Sequence, residues 1–357
     1  MELNKKFWNN KKVFLSGHTG FKGSWLSLWL HKLNANVYGY SLKPSTSPSL
    51  FDSLGLNNKI SSKIGDIRNY DTVKKSIDEF KPEILIHMAA QPLVRDSYLN
   101  PVFTYETNVM GTVNILEVAR NTNSIKSILV ITSDKCYHNL EKNYHYKESD
   151  SLGGYDPYSS SKGCADIVSS AYYNSYFSNQ EVGLSIARAG NVIGGGDWSK
   201  DRIIPDAMRA FSERRDLIVR NPQSIRPWQF VLDPLSGYLK LIEELSSHPA
   251  NYSGPWNFGP KKEDSETVKY ICDSIVSLWG HNAKWVSQEN ETLHEASLLQ
   301  LDSKKAYESL SWSPKYDLNT TLEKTIKWYT NYYSKNIDLM KYTLNQIDDF
   351  LGKNNGK

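Results

Sequence analysis

The chain has 357 residues, of which 39% are hydrophobic and 23% charged, and its formal net charge is +3. These values suit a globular protein with a sizeable core, built as one large domain or two intimate ones, and exclude recruitment to nucleic acid or to a membrane surface by bulk charge. Cys136, Cys164 and Cys272 form no CxxC pair, no HExxH occurs, no secretory signal is visible and no apolar run approaches a membrane span, so the expectation is a reducing, cytoplasmic setting with no metal, no disulfide framework and no membrane partner.

Residues 13–16 give a short apolar strand that runs into Gly17-His18-Thr19-Gly20-Phe21-Lys22-Gly23. Trp25, Leu26, Trp29, Leu30 and Leu33 then recur at helical spacing. Strand, glycine turn and helix make the plan of a dinucleotide-binding turn. Gly17 allows the bend, Gly20 lets backbone approach a pyrophosphate, Gly23 lets helix pack on strand, and the first-turn N–H groups face the phosphate charge. The spacing is GxxGxxG rather than GxGxxG, and a purely structural βα turn would look the same. Residues 36–41 predict a second strand. It leads to Ser41 and Lys43 without a carboxylate for the ribose hydroxyls, so NADP stays open beside NAD, with Lys43 either a 2′-phosphate contact or a solvated loop lysine.

Residues 45–62 predict a loop with a short helix, and 63–67 a third strand with Asp66 near its end. Asp71 is expected to cap a helix that buries Val73, Ile77 and Phe80. Residues 83–88 are continuously apolar, as in a parallel strand covered on both faces, and end in the small residues Ala89 and Ala90, against which a cofactor could lie. A long helix is expected over 100–120, a buried strand over 127–132, a helix over 158–177 and a strand over 183–188. This alternation predicts an α/β fold with a doubly wound parallel sheet of Rossmann type. Beyond Asn191 glycine, proline and tryptophan become frequent and strands short. The expected division is a dinucleotide-binding domain over 1–190, with 228–250 returning to it, and a smaller C-terminal α/β substrate-binding lobe over 191–227 and 251–357, with a helix near 321–333.

Tyr158 and Lys162 stand four apart, which places them one turn apart on one helix face. A free phenol titrates near pH 10 and is a poor base at neutrality, and a neighbouring ammonium favours the phenolate. Tyr70 and Lys74 share that spacing, and among 22 tyrosines an accidental match is unsurprising. Position separates the two, because only Tyr158 follows a βα unit whose strand ends in possible acid–base groups, Ser133-Asp134-Lys135. Ser133 is expected beside Tyr158 at the carboxyl edge of the sheet, where open α/β sheets bind ligands, although a plain turn with a helix cap gives the same three residues. Arg226, in an Arg-Pro-Trp turn, can offer a bidentate fork to a pyrophosphate oxygen. Arg95 and Arg202 are further candidates, each equally readable as a surface group. Trp198 and Trp228 suit either stacking on a base or a place in the core. His18 suits either cofactor positioning or a satisfied structural role.

Together the glycine turn, Gly65-Asp66-Ile67, His87-Met88-Ala89-Ala90, Asn108, Ser133, Tyr158 and Lys162 resemble, in order, the extended short-chain dehydrogenase/reductase family, nearly end to end. Within it the runs Thr132-Ser133-Asp134-Lys135-Cys136-Tyr137, Gly154-Tyr155-Asp156-Pro157-Tyr158-Ser159, the stretch 188–198 and Ile225-Arg226-Pro227-Trp228-Gln229 resemble the nucleotide-sugar 4,6-dehydratases. Lysine at 135, where dTDP-glucose enzymes carry glutamate, is similar to the dehydratases of CDP-glucose. The resemblance implies NAD held by residues 17–23, Asp66, Ile67, Ala89, Ala90, Asn108, Tyr158 and Lys162. It implies a sugar nucleotide contacted by Gln91, Arg95, Asn191, Trp198, Arg202 and Arg226. It also implies an internal redox cycle. Tyr158, with Lys162 and Ser133, takes the 4-hydroxyl proton as hydride leaves C4. Asp134 protonates the departing 6-hydroxyl, Lys135 takes the C5 proton, and hydride returns to C6. Relatives pair as homodimers through the helix bearing Tyr158 and the long helix before it. A 4-epimerase on the same scaffold would lack use for Asp134 and Lys135. A cofactor-binding regulator would have no need of Ser133, Tyr158 and Lys162 together.

Overall fold

The computed structural model describes residues 2–288 and 298–352. In chain order its principal elements are β1 (Lys12–Ser16), α1 (Phe21–Lys32), β2 (Asn36–Ser41), β3 (Ser61–Ile64), α2 (Tyr70–Phe80), β4 (Ile84–His87), α3 (Gly111–Arg120), β5 (Ser127–Ile131), α4 (Pro157–Ser175) and β6 (Gly183–Ala189). They continue with β7 (Asn191–Ile193), α5 (Ile203–Ser212), β8 (Ile225–Phe230), α6 (Leu232–Ser247), β9 (Gly254–Phe258), β10 (Ser265–Thr267), α7 (Val268–Trp279) and α8 (Leu318–Ser334).

Among the described residues seven parallel strands form one sheet in the order β9-β6-β5-β4-β1-β2-β3. The order reverses between β1 and β4, and it is outside the carboxyl ends at such a switch that a crevice opens. The sheet's central strands are buried on both faces, as their continuous apolar runs require. Trp25, Trp29, Leu235 and Leu239 belong to one packed cluster, and Phe14, Leu85, Ile115 and Val130 to another. Beside the sheet lies a three-stranded unit in which β8 pairs parallel with β7 and antiparallel with β10. It brings Asn191 opposite Trp228, two residues from Arg226.

Several expected boundaries move. α2 is capped by Asn69, whose side chain accepts from the Thr72 N–H at 3.1 Å, and not by Asp71; Val73 and Ile77 are buried but Phe80 only half so. The third strand starts earlier and stops at Ile64, before Asp66. Residues 254–258, expected in the covering lobe, form the seventh strand, so the chain's return to the sheet consists of α6 followed by β9. The expected helix over 100–120 is composite. Pro101–Tyr105 and α3 are joined by a π turn at Glu106–Met110, a wider turn that often marks a functional position and here carries Asn108.

The helix α4 is tied to the sheet by a buried ion pair. Arg188 of β6 forks onto Asp166 of α4, Nε to Oδ2 at 2.7 Å and Nη2 to Oδ1 at 2.8 Å, and its Nη1 donates to Tyr137 Oη at 2.7 Å. Asp166→Asn leaves that guanidinium without a counter-charge in the interior, so we expect a loss of about 3–5 kcal/mol in urea unfolding. A loss below about 1 kcal/mol would mean that the pair is not what seats α4.

Candidate active site

Three glycines shape the turn between β1 and α1. Gly17 has φ +78°, and a Cβ there would lie 2.7 Å from the Ala89 nitrogen, so only glycine fits where β1 and β4 diverge. A Cβ on Gly23 would lie 2.0 Å from the Gly17 oxygen, which measures how closely α1 packs on the turn. Gly20 caps α1 without a side chain, and a Cβ there would meet nothing nearer than the Gly17 oxygen at 3.5 Å. The leading N–H groups of α1 thus carry no side-chain cap, a fit for the pyrophosphate of a dinucleotide. Thr19 Oγ1 donates to the Leu42 carbonyl at 2.9 Å and lies 2.9 Å from Ser41 Oγ, so hydroxyls stitch the end of β2 to the turn, while Lys43 is exposed.

The other expected cofactor contacts divide into backbone and packing roles. His18 is buried, bonded to Ser62 Oγ at 2.7 Å and edge-on to Phe51, and burial pushes it down to about 4, so the ring is a neutral packing group outside the cleft. The Asp66 carboxylate is engaged by Arg68, Nη2 to Oδ2 at 2.7 Å, and Ile67 is buried. Ala89, half-buried at the end of β4, donates its N–H to Ser16 Oγ at 3.2 Å, and Ala90 follows it. Asn108 accepts from the Gln91 N–H at 2.8 Å and donates to the Gln91 carbonyl at 3.1 Å and to Ser161 Oγ at 2.8 Å. It therefore locks the loop after β4 onto α4. Gln91, expected to face substrate, spends its own amide on Leu93 and Thr104 and does not line the cleft.

That cleft, of about 340 Å³, opens where β5 and β6 end. Phe21, Lys22, Arg95, Ser133, Asp134, Lys135, Tyr158, Asn191, Arg202, Arg226 and Trp228 all line it. Ser133 begins a single 3₁₀ turn, Asp134–Cys136; its hydroxyl donates to Asp134 Oδ1 at 2.9 Å and accepts from the Lys135 N–H at 3.2 Å. The Lys135 N–H also reaches Asp134 Oδ1 at 2.9 Å. Gly190 closes over this carboxylate, since a Cβ there would stand 2.9 Å from Asp134 Oδ2. Burial raises the Asp134 pKa, against the pull of Lys135, Ser133 and Arg226. Such a carboxyl group is suited to holding a proton.

Tyr158 enters the cleft from the first turn of α4, which Asp156 caps through the Ser159 N–H at 2.9 Å. Burial lifts the phenol to about 12, with the nearby Ser133 hydroxyl and the charge of Arg202 pulling it down. Lys162 lies one turn on, buried, but its ammonium donates to the Ile131 carbonyl at 3.1 Å. The Lys162 side chain is thus bonded to the backbone of β5 rather than to the phenol. Burial, with Lys22 nearby, brings Lys162 down to about 7, and burial with Arg202 brings Lys22 down to about 8. Unfolded lysines hold their protons to about pH 10.4. Between about pH 7 and 10 the unfolded chain therefore binds more protons, and stability contributed through these lysines rises with pH. Urea midpoints taken at about pH 7 and 9 should rise more in the parent than in Lys162→Met; an equal or smaller rise would contradict the burial of an uncharged amine.

Of the remaining expected contacts, Arg202 pairs with Asp197 at 2.8 Å, Arg95 reaches Asp201 at 3.5 Å, and both face the cleft. Trp198 does not; it is buried edge-on against Tyr329, with ring centroids 5.2 Å apart, and takes the core role. Sequence reasoning missed Asp201, Arg220, Asn221 and Ser224, which also line the cleft. They sit in loops without periodicity, and no motif marked them. Among the described residues no cluster of His, Cys, Asp or Glu is placed to hold a metal, and no helix is long and apolar enough to cross a membrane.

Residues 14–325 match the family described as GDP-mannose 4,6 dehydratase. The chain is 51% identical over 354 residues, 98% of either chain, to a CDP-glucose 4,6-dehydratase of Salmonella typhimurium. It is 28% identical to a putative UDP-glucose 4-epimerase of Methanocaldococcus jannaschii, over 89% of this chain and 98% of the other. Among solved structures it resembles a dTDP-glucose 4,6-dehydratase of Bacillus anthracis in complex with NAD, with TM-score 0.74 and 21% identity over 93% of this chain and 99% of that one. An epimerase of Methanothermobacter thermautotrophicus gives TM-score 0.79 at 22% identity, covering 93% and 96%.

Proposed function

The chain belongs to the GDP-mannose 4,6 dehydratase family, and from that premise we infer that it is an NAD-dependent CDP-glucose 4,6-dehydratase, forming CDP-4-keto-6-deoxyglucose and water. The observation that carries the reading is the shared cleft of Tyr158 and Ser133 with Asp134 and Lys135, in a chain with half its residues identical to an enzyme of that name. An epimerase needs the first two residues; a second acid–base pair beside them is what elimination across C5 and C6 requires.

NAD in the glycine cradle supplies a reversible hydride acceptor. The N–H groups after Gly20 would hold its pyrophosphate, and Ala89 and Ala90 would flank it. The chain's own side chains do the rest. Tyr158 receives the 4-hydroxyl proton, with Ser133 and Lys162 beside it. A 4-ketone acidifies the C5 proton, Lys135 removes it, and Asp134, kept protonatable by burial, delivers a proton to the departing 6-oxygen. Asn191 of β7, Arg226 of the adjoining β8, Arg202 at the start of α5 and Arg95, all lining the cleft, would take the diphosphate, while Trp228 borders the same cleft.

Under this reading the cofactor-binding unit is the seven-stranded sheet with its helices, and the remainder is the substrate lobe. Leu99, Val102, Met110 and Ile167 are exposed apolar residues on α4 and the helical segments packed against it, which supports a two-fold homodimer through that face. The protein is then a cytoplasmic dimeric enzyme. The deciding experiment supplies CDP-glucose deuterated at C4. Label recovered at C6 of a 4-keto-6-deoxy product is expected; a C4 epimer without deoxygenation would transfer the chain to the epimerases.

A further inference from the structure

A sugar nucleotide laid along this cleft has its direction set by the chain. The hexose belongs beside Tyr158, Asp134 and Lys135, where oxidation and elimination take place. Gly190 has both Asp134 and Pro227 against it, since a Cβ there would lie 2.9 Å from Asp134 Oδ2 and 3.6 Å from Pro227 Cγ. From Pro227 the chain runs back through Arg226 and Ile225 to Ser224, three residues at about 3.3 Å each. A diphosphate and a ribose span such a distance. With the phosphates at Arg226, the base therefore arrives at the end of the cleft formed by Ser224, Arg220, Asp201, Ile218 and Val268, all of which line it.

That end offers apolar walls and one polar edge. Ile218 is 58% exposed between the buried Leu217 and Val219, so strand alternation turns it away from the core, and it lines the cleft. Val268, whose N–H donates to the Ser224 carbonyl at 2.9 Å, supplies a second aliphatic surface. The polar edge is an ion pair between two loops, in which Arg220 Nη2 donates to Asp201 Oδ1 at 3.2 Å. Arg95 reaches the same oxygen at 3.5 Å. Among the described residues Asp201 Oδ2 and the other nitrogens of Arg220 carry no hydrogen bond. The pair is unlike a phosphate site, since its carboxylate repels an anion.

A guanidinium has only donors and an ionised carboxylate only acceptors, so the edge reads acceptor, donor, donor. Cytosine presents the complement, with N4–H as donor and then N3 and O2 as acceptors. Uracil and thymine present O4 as acceptor and then N3–H as donor. Building on the dehydratase reading, we propose that the Arg220–Asp201 pair selects the base, Arg220 donating to N3 and O2 of cytosine and Asp201 accepting from its amino group. Against uracil or thymine the same edge sets N–H against N–H and oxygen against oxygen. Discrimination between sugar nucleotides thus resides in two loop residues remote from the reacting carbons, and it is exerted in binding.

The test is calorimetric binding of CDP and UDP to the full chain with NAD. The parent should prefer CDP by about 10- to 100-fold, the range that bidentate reading of a base supplies. Arg220→Gln, whose amide oxygen can accept from uracil N3–H, should weaken CDP and leave UDP equal or tighter. Asp201→Asn, whose amide can donate to O4, should narrow the gap in the same way. On the ligand side 3-deaza-CDP, which lacks the N3 acceptor, should bind the parent about tenfold weaker than CDP. A parent that binds CDP and UDP alike, or variants that weaken both alike as loss of a phosphate contact would, overturns the proposal. If Arg220→Gln does not fold, Arg220→Lys decides, since it keeps the charge without the fork and should still lose the preference for CDP. Failure of the parent to convert CDP-glucose to a deoxy product, whichever nucleotide it prefers, would instead overturn the dehydratase reading.

Discussion

Tyr158→Phe should lower turnover of CDP-glucose by about 10³-fold, within the range by which a positioned acid–base group accelerates proton transfer. The substitution removes one oxygen from a ring that is 9% exposed and held by the first turn of α4, so the helix, its Asp156 cap and the Asn108–Ser161 contact should persist. The loss should therefore fall on kcat and leave binding of CDP-glucose nearly unchanged, a split that calorimetric binding and steady-state rates together measure. No deuterium should move from C4. If turnover stays within about tenfold of the parent, another group in the same cleft, such as Lys22, which burial brings down to about 8, would have to take the 4-hydroxyl proton.

Lys135→Ala should separate the two halves of the reaction. Tyr158 and Ser133 do not depend on the lysine side chain, since it is the backbone N–H of residue 135 that bonds Ser133 and Asp134. Oxidation at C4 should then proceed while loss of water slows by about 10²–10³-fold, so that the absorbance of the reduced nicotinamide builds up and persists in a single turnover. Asp134→Asn should also accumulate reduced nicotinamide, because an amide has no acidic proton for the 6-oxygen. Elimination at the parent rate in Lys135→Ala would remove that residue from the role of C5 base.

How much of this was legible in the chain can be traced residue by residue. The turn at Gly17–Gly23 was readable because a strand, spaced glycines and a helix-period apolar face are local properties, and the structure assembles them as expected. The Tyr158–Lys162 spacing was readable for the same reason. What Lys162 bonds to was not, because the Ile131 carbonyl arrives from a strand 31 residues earlier. Asn69 and Asp71 are both good cap residues, and only the backbone path selects the first. Trp198 suited a base or a core, and tyrosines from α8, more than a hundred residues on, decided for the core. Residues 254–258 complete the sheet only because β6 offers an unpaired edge, a fact that no window around Trp256 contains.

The π turn at Glu106–Met110 has a consequence for how this helix can change length. A wider turn holds one residue more than regular winding. Deleting a single residue there would restore the ordinary pitch and rotate everything before it by about 100° relative to α3. Asn108 could then no longer meet both the Gln91 backbone and Ser161, and the apolar strip beginning at Val102 would swing off its present side. Natural variation in this segment should consequently come as substitutions or as whole turns, while single-codon losses should be purged.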